Sequence, residues 1–184
     1  MANVLVPLAQ GCEELEAITI VDLLRRAGIT VVTAGLDERP VTASRGTVLV
    51  PDTMLDEALE QDYDMVVLPG GLPGADHLDN DVRVTGLLKQ MAVDGKYTAA
   101  ICAAPKVLAS SGLLNGKRAT SYPGSLQPES VPGLDYTEES VVTDGRVITS
   151  RGPGTAMDFA LELIEVLAGT DKRNEVEAGL QRPA

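Results

Sequence analysis

The run Ala99-Ala100-Ile101-Cys102-Ala103-Ala104-Pro105 joins small apolar residues to a cysteine, and then to small residues and a proline. Such a run reads as a buried strand, a tight turn and a helix opening near Lys106. That elbow lifts one side chain above the carboxyl edge of a parallel sheet. A thiol there faces free backbone N–H groups and the positive end of a helix dipole. Both favour thiolate, so its pKa is expected below the ~8.5 of an unperturbed cysteine. The same residues also suit a buried cysteine packed as a small hydrophobe, so the neighbours of the elbow must decide.

Two further segments bear on that choice. Pro69-Gly70-Gly71-Leu72-Pro73-Gly74 follows an apolar run at 65–68. Glycines let the backbone approach a reacting group, and the Gly71 N–H beside the Ala103 N–H would suit an oxyanion; a plain tight turn is the alternative. In the segment 13–27, Leu15, Ala17, Ile18, Ile20, Val21, Leu23, Leu24 and Ala27 leave few polar positions. A helix apolar nearly all round is covered on both sides, by the sheet and by a second subunit. Glu16 shares a face with Ile20, Leu23 and Leu24. A carboxylate buried there without a partner keeps its proton. Beside Cys102, a protonated Glu16 would donate a hydrogen bond to the thiolate or to an oxidised sulfur, and would act as general acid or base. Glu13 and Glu14 fit first-turn acids that complement the helix dipole.

The elements that must position these residues alternate along the chain. Strands are expected at 3–8, 30–34, 65–68 and 98–101, and helices at 13–27, 82–93 and 155–168. A short strand at 48–50 falls outside the main sheet, and 55–59 reads as a short helix. Residues 117–121 suit another strand. Asp144-Gly145 between two β-branched runs predicts a hairpin, and a weaker helix covers 171–178. Short apolar strands between amphipathic helices give an α/β doubly wound sandwich, with a mostly parallel central sheet and helices on both faces. Ligands bind such sheets beyond the carboxyl ends of the strands. The loops at 11–14, 69–71 and 102–104 should therefore meet.

Composition narrows the function classes. The chain has 184 residues and no linker, repeat or composition break. It therefore reads as one domain over 1–184, on the prior of roughly 100–200 residues per domain. A net charge of −12 disfavours nucleic acid and anionic membrane as partners. No stretch approaches the ~20 apolar residues of a membrane span, and nothing precedes the first strand as a signal peptide would. Two cysteines make no secreted disulfide framework, so a reducing cytoplasm is the expected home. The lone histidine and the scattered carboxylates offer no ligand cluster, so neither metal nor organic cofactor is expected. Cys12 lies in a loop on the same edge as Cys102. It either resolves a sulfenic acid on Cys102 or is a small residue tolerated in a loop.

Five segments occur in order: Gly11-Cys12-Glu13-Glu14-Leu15-Glu16-Ala17, Arg25-Arg26-Ala27-Gly28-Ile29, Val66-Val67-Leu68-Pro69-Gly70-Gly71, the Cys102 elbow, and Thr149-Ser150-Arg151-Gly152-Pro153-Gly154-Thr155. Together they resemble the ThiJ/PfpI superfamily across nearly the whole chain. The resemblance implies a flavodoxin-like sandwich (the class I glutamine amidotransferase-like architecture), a homodimer, and a readily oxidised cysteine at Cys102 with Glu16 as its protonated partner. It places Gly70, Glu13, Tyr122 and Arg45 around the pocket, with Arg26 and Arg45 near the dimer interface and the site mouth. Implied activities are cofactor-independent glyoxalase chemistry (methylglyoxal to lactate), repair of early glycation adducts, and redox-linked stress protection or chaperone action. The partner is then a small aldehyde or a glycated substrate. One branch of the superfamily carries a histidine where this chain has Tyr122, and another carries a histidine directly after the nucleophile, where Ala103 stands. His77 matches no catalytic position and reads as a surface loop residue. Cys102 is therefore expected to work with Glu16 and backbone amides, without an imidazole. Oxidation sensing without turnover is the alternative.

Overall fold

The first strand shows how the layers arise. In β1 (Asn3–Leu8), Val4, Val6 and Leu8 pack into one apolar cluster and Leu5 into another, all of them buried. Alternate side chains of a strand point to opposite faces, so a strand apolar on both faces requires cover on both. The computed structural model describes residues 1–182. The chain continues through α1 (Glu14–Arg26), β2 (Thr30–Gly35), the pair β3 (Val41–Thr42) and β4 (Val48–Leu49), β5 (Thr53–Met54), α2 (Leu55–Ala58) and β6 (Met65–Leu68). It then forms α3 (Gly74–Asn80), α4 (Val82–Val93), β7 (Tyr97–Ile101), α5 (Pro105–Ser110), β8 (Arg118–Ala119) and β9 (Asp135–Tyr136). The last elements are β10 (Val141–Asp144), β11 (Val147–Ser150), α6 (Ala156–Ala168) and α7 (Thr170–Gly179).

The central sheet has the order β10-β11-β7-β6-β1-β2-β5. Every neighbouring pair in it is parallel except the β10–β11 hairpin around Asp144-Gly145. Helices α1 and α6 cover one face through Ile20, Leu24, Phe159 and Ile164. On the other face lie α3, α4 and α5, through Leu78, Leu88 and Leu108. This is the mostly parallel, doubly wound α/β sandwich expected, and it has the flavodoxin-like layout. From β1 the chain moves to β2 on one side and later sets β6 on the other. The crevice beyond the carboxyl ends of β1 and β6 is thus a topological switch point, with β7 beside it. Among the described residues, no helix is long and apolar enough to cross a membrane.

Two local expectations change. The strand expected at 117–121 shrinks to β8, which pairs with β9 in a separate two-stranded sheet. Beyond it the Thr120 N–H donates to Thr149 Oγ1 and the Tyr122 N–H to Cys102 O, so the chain bends across the strand ends. The 74–80 segment, rich in Gly, Asp and Asn, becomes α3 because Ala75 and Leu78 are fully buried; burial overrides weak local propensity there. Phe159, the only phenylalanine, is fully buried between α6 and the sheet. Phe159→Ala is expected to lower unfolding stability by about 3–5 kcal/mol, read as a fall in the urea midpoint at unchanged slope; a shift under a quarter of that would contradict this packing.

Candidate active site

Cys102 follows the last residue of β7 and has φ +64°, a left-handed conformation that a residue with a Cβ adopts at a cost of about 1–3 kcal/mol. Neighbouring backbone holds it there. The Cys102 N–H donates to Ser150 O at 2.9 Å, and Cys102 O accepts from the Tyr122 N–H at 2.8 Å. The strain turns the thiol away from the strand line and toward the switch-point crevice, which is the geometry of a nucleophile elbow. Backbone amides of Gly71 and Ala103 donate toward the sulfur.

Beneath the thiol lies Glu16, fully buried in the first turn of α1. Its Oε2 accepts from the Gly70 N–H at 2.8 Å, while Oε1 has no partner of good geometry. Gly70 permits this approach: a Cβ there would lie 2.6 Å from Cys102 Cβ, 2.7 Å from Glu16 Oε2 and 2.8 Å from Ile101 O. Gly71 is equally constrained, with φ +88° and Glu13 N only 2.3 Å from where a Cβ would sit. The Glu13 N–H donates to Gly70 O at 2.9 Å, so the loops after β1 and β6 interlock backbone to backbone.

Burial pushes the Glu16 carboxyl up to about 7, against the stabilising Cys102 thiol and Gly70 N–H. Burial, then the Glu16 carboxylate, push the Cys102 thiol up to about 12, against the Gly71 and Ala103 N–H groups. This corrects the expectation of a lowered thiol pKa. The amides are present, but the thiol is only 8% exposed and shares its site with a carboxyl. The two groups act as one acid that loses its first proton near neutrality and holds the second into alkaline solution. A thiolate therefore forms when its proton passes to Glu16, which removes the like charge and turns the carboxyl into a donor.

Around Cys102 opens a cavity of about 310 Å³ lined by Glu13, Ser44, Arg45, Gly71, Leu72, Ala103, Tyr122, Ser125 and Pro153. Glu13, Arg45, Gly71, Ala103 and Tyr122 thus lie with the thiol, while Glu16 and Gly70 lie behind it. Tyr122 is half exposed, with its ring edge over Gly152. Leu72 and Pro153 come from segments the sequence singled out, but Ser44 and Ser125 carried no signal, because they reach the cavity from separate loops. His77 is exposed but sits on α3, not in a loop. Cys12 is fully buried, and burial, with the Glu14 carboxylate next, pushes its thiol up to about 12. Those surroundings suit a packed side chain better than a resolving thiol. A hollow of 640 Å³ at the amino ends of the strands is lined by Asp64, Lys96, Tyr97 and Arg146, with no cysteine, serine or threonine in its lining.

With this geometry in hand, comparison with known proteins is specific. A model described as the DJ-1/PfpI family matches residues 2–166. Protein dj-1beta of Drosophila melanogaster is 48% identical over 180 residues, covering 97% of this chain and 96% of that protein. Glutathione-independent glyoxalase DJR-1.2 of Caenorhabditis elegans is 37% identical over 175 residues, covering 95% of this chain and 92% of that protein. The crystal structure of Drosophila melanogaster DJ-1beta superposes with a TM-score of 0.94 at 46% identity, covering 100% of this chain and 99% of that one.

Glu16 titrates near 4.5 unfolded and near 7 folded. Folding favours the protonated carboxyl, so its contribution is full below pH 4.5 and is lost as pH rises through 7. Relative to wild type, Glu16→Gln should gain up to about 3 kcal/mol across that window, measured by urea unfolding at several pH values; a pH-independent difference would refute the raised pKa. Gly70→Ala should leave the far-UV circular dichroism of the fold in place yet slow Cys102 alkylation by roughly 10²-fold, the scale expected when a reacting group moves by about 1 Å. Wild-type labelling rates in that variant would show that the close approach is not needed.

Proposed function

This chain belongs to the DJ-1/PfpI family, and from that premise we propose that it is a cysteine-dependent enzyme acting on small reactive dicarbonyls or early glycation adducts. The observation that carries this reading is the strained Cys102 elbow over a fully buried Glu16, with the Gly71 and Ala103 amides aimed at the sulfur. The glyoxalase name of the Caenorhabditis elegans relative supports it.

The proposed reaction needs no external oxidant or cofactor. Glu16 takes the thiol proton as Cys102 sulfur attacks the aldehyde carbon of methylglyoxal, forming the C–S bond of a hemithioacetal. The amides of Gly71 and Ala103 hold the new oxyanion, which is stabilised best by donors fixed before the charge develops. Glu16 passes the thiol proton to the hemithioacetal oxygen and becomes a carboxylate again. It then takes the proton of the former aldehyde carbon, giving an enediolate, and returns it to the adjacent carbon as the hydroxyl proton moves to that carbon's oxygen. The first carbon is oxidised to a thioester and the second reduced to an alcohol. Water cleaves the C–S bond, releasing lactate and restoring the thiol. Glu16 suits both proton transfers because a pKa near 7 lets it give and take at neutral pH.

A second reading has its own observation. Glu16 Oε1, buried beside the sulfur without a partner, suits an oxygen added to Cys102 by oxidation. On that reading the protein is a redox-sensing stress-protection protein or chaperone with no turnover. In either case we place it in a reducing cytoplasm as a homodimer. Leu15 and Ile18 are the half-exposed apolar residues of α1, and Val48 is exposed on the adjoining hairpin, so a second copy suits this face.

Lactate formed from methylglyoxal separates the two readings. Wild type should produce it, and Cys102→Ser should fall to the buffer background. Glu16→Ala should lose about 10²–10⁴-fold in rate, the usual worth of a positioned acid–base group. No Cys102-dependent lactate would favour the sensor.

A further inference from the structure

Of the five segments that mark this chain, 149–155 lends only Pro153 to the cavity wall and nothing yet to the chemistry. It nevertheless places two hydroxyls, Thr149 and Ser150, at fully buried positions at the end of β11. The residues before them on the strand, Val147 and Ile148, are buried and apolar. Packing alone would be served as well by a valine, which has the shape of threonine without the cost of burying a hydroxyl. The reason for the hydroxyls lies in what they bind.

Successive side chains of a strand point to opposite faces, so the pair reaches both sides of the sheet. On one side Thr149 Oγ1 accepts the Thr120 N–H at 3.0 Å. Two residues further on, the Tyr122 N–H donates to Cys102 O at 2.8 Å. Thr120 Oγ1 is itself buried without a partner, so Thr149 is the side-chain hold on that residue. On the other side Ser150 Oγ donates to Ser140 O at 2.8 Å and lies 2.7 Å from Thr155 Oγ1. Thr155 Oγ1 in turn accepts the Gly152 N–H at 3.1 Å. These bonds tie the end of β11 to the residue before β10 and to the turn that opens α6. The same Ser150 supplies the carbonyl that accepts the Cys102 N–H at 2.9 Å. Both backbone bonds that hold Cys102 at φ +64° therefore end on segments fixed by one of these two hydroxyls. A left-handed residue with a Cβ relaxes unless its surroundings over-determine it.

We propose that Thr149 and Ser150 are positioning residues, which hold the Cys102 elbow in its strained conformation and so keep the thiol on Glu16 and before the Gly71 and Ala103 amides. Neither hydroxyl touches substrate. When either is lost, the elbow relaxes toward an ordinary strand-to-helix turn and the thiol leaves the carboxyl. The two groups then titrate independently. The inference rests on Cys102 as the reactive thiol, and it holds whether the protein turns substrate over or only senses oxidation.

The test is the pH profile of Cys102 alkylation by iodoacetamide, located by peptide mass mapping so that Cys12 does not interfere. The C–S bond forms, iodide leaves, and the thiol proton passes to Glu16 and then to solvent. In the wild type the rate should rise through about 7, where the coupled pair loses its first proton. Thr149→Val keeps the shape and removes the acceptor. Its rise should move to the ~8.5 of an unperturbed thiol, and its rate at neutral pH should fall roughly 10²-fold. Ser150→Ala should do the same. Thr149→Ser restores the acceptor and should restore the profile. Thr98→Val, the same change at a buried position of β7 away from these contacts, should leave the profile unchanged. A residue that only stabilised the fold would lower the urea midpoint and leave the pH midpoint in place. A pH midpoint that stays near 7 in Thr149→Val and Ser150→Ala overturns the proposal. So does one that moves as far in Thr149→Ser, or one that moves in Thr98→Val. Should Thr149→Val fail to fold, Ser150→Ala decides alone. Absence of lactate formation would instead count against the enzymatic reading alone.

Discussion

One proton shared between a buried carboxyl and a buried thiol sets the terms for the rest of this structure. Glu16 is fully buried and Cys102 nearly so. In such a place two negative charges are far costlier than one, so the pair ionises once near neutrality. The fold supplies just enough donors for that single charge. Gly70 serves the carboxyl, Gly71 and Ala103 serve the sulfur, and one carboxyl oxygen is left without a partner. Moving the charge from oxygen to sulfur needs only the movement of a proton over a short distance. The pair is therefore poised between two forms without a histidine.

Holding that pair demands backbone packed against backbone. Gly70 passes so close to Cys102, Glu16 and Ile101 that no side chain fits, and Gly71 meets the start of α1 in the same way. The Glu13 N–H bonded to Gly70 O and the Ser44 N–H bonded to Cys12 O extend the contact into the β3–β4 hairpin. Loops from three parts of the chain thus form one layer over the carboxyl ends of the strands. The left-handed backbone at Cys102 persists because this layer and the bonds to Ser150 and Tyr122 over-determine it. The same layer carries part of the cavity wall, through Glu13, Ser44 and Gly71.

Much of this was legible in the residues. The apolar strands, the Asp144-Gly145 hairpin and the long helices follow from periodicity, because β1, β6 and β7 are buried on both faces and α1 and α6 along one face. Glu16 stood out because an acid amid Ile20, Leu23 and Leu24 has no place on a solvated face. Helix α3 was not legible, since its few buried residues sit among helix-weak ones and only contact with the sheet stabilises it. Cavity residues Ser44 and Ser125 were silent for a related reason: a serine in a loop carries no pattern until another loop faces it.

The linear sequence alone determined the fold class, the elbow at Cys102 and the candidacy of Glu16, because strand and helix periods and the cost of a buried carboxyl are local properties. The DJ-1/PfpI family match bears out the first of these, the fold class. Tertiary structure alone decided the thiol's acidity and the role of Glu14. A helix end and free amides predict a lowered thiol pKa, but burial and the ionised form of Glu16 raise it. A first-turn acid predicts a dipole partner, but Glu14 turns to the amides of a distant hairpin. Both outcomes depend on which charges and donors are brought together across the fold, and Coulomb and desolvation energies follow distances in space rather than positions along the chain.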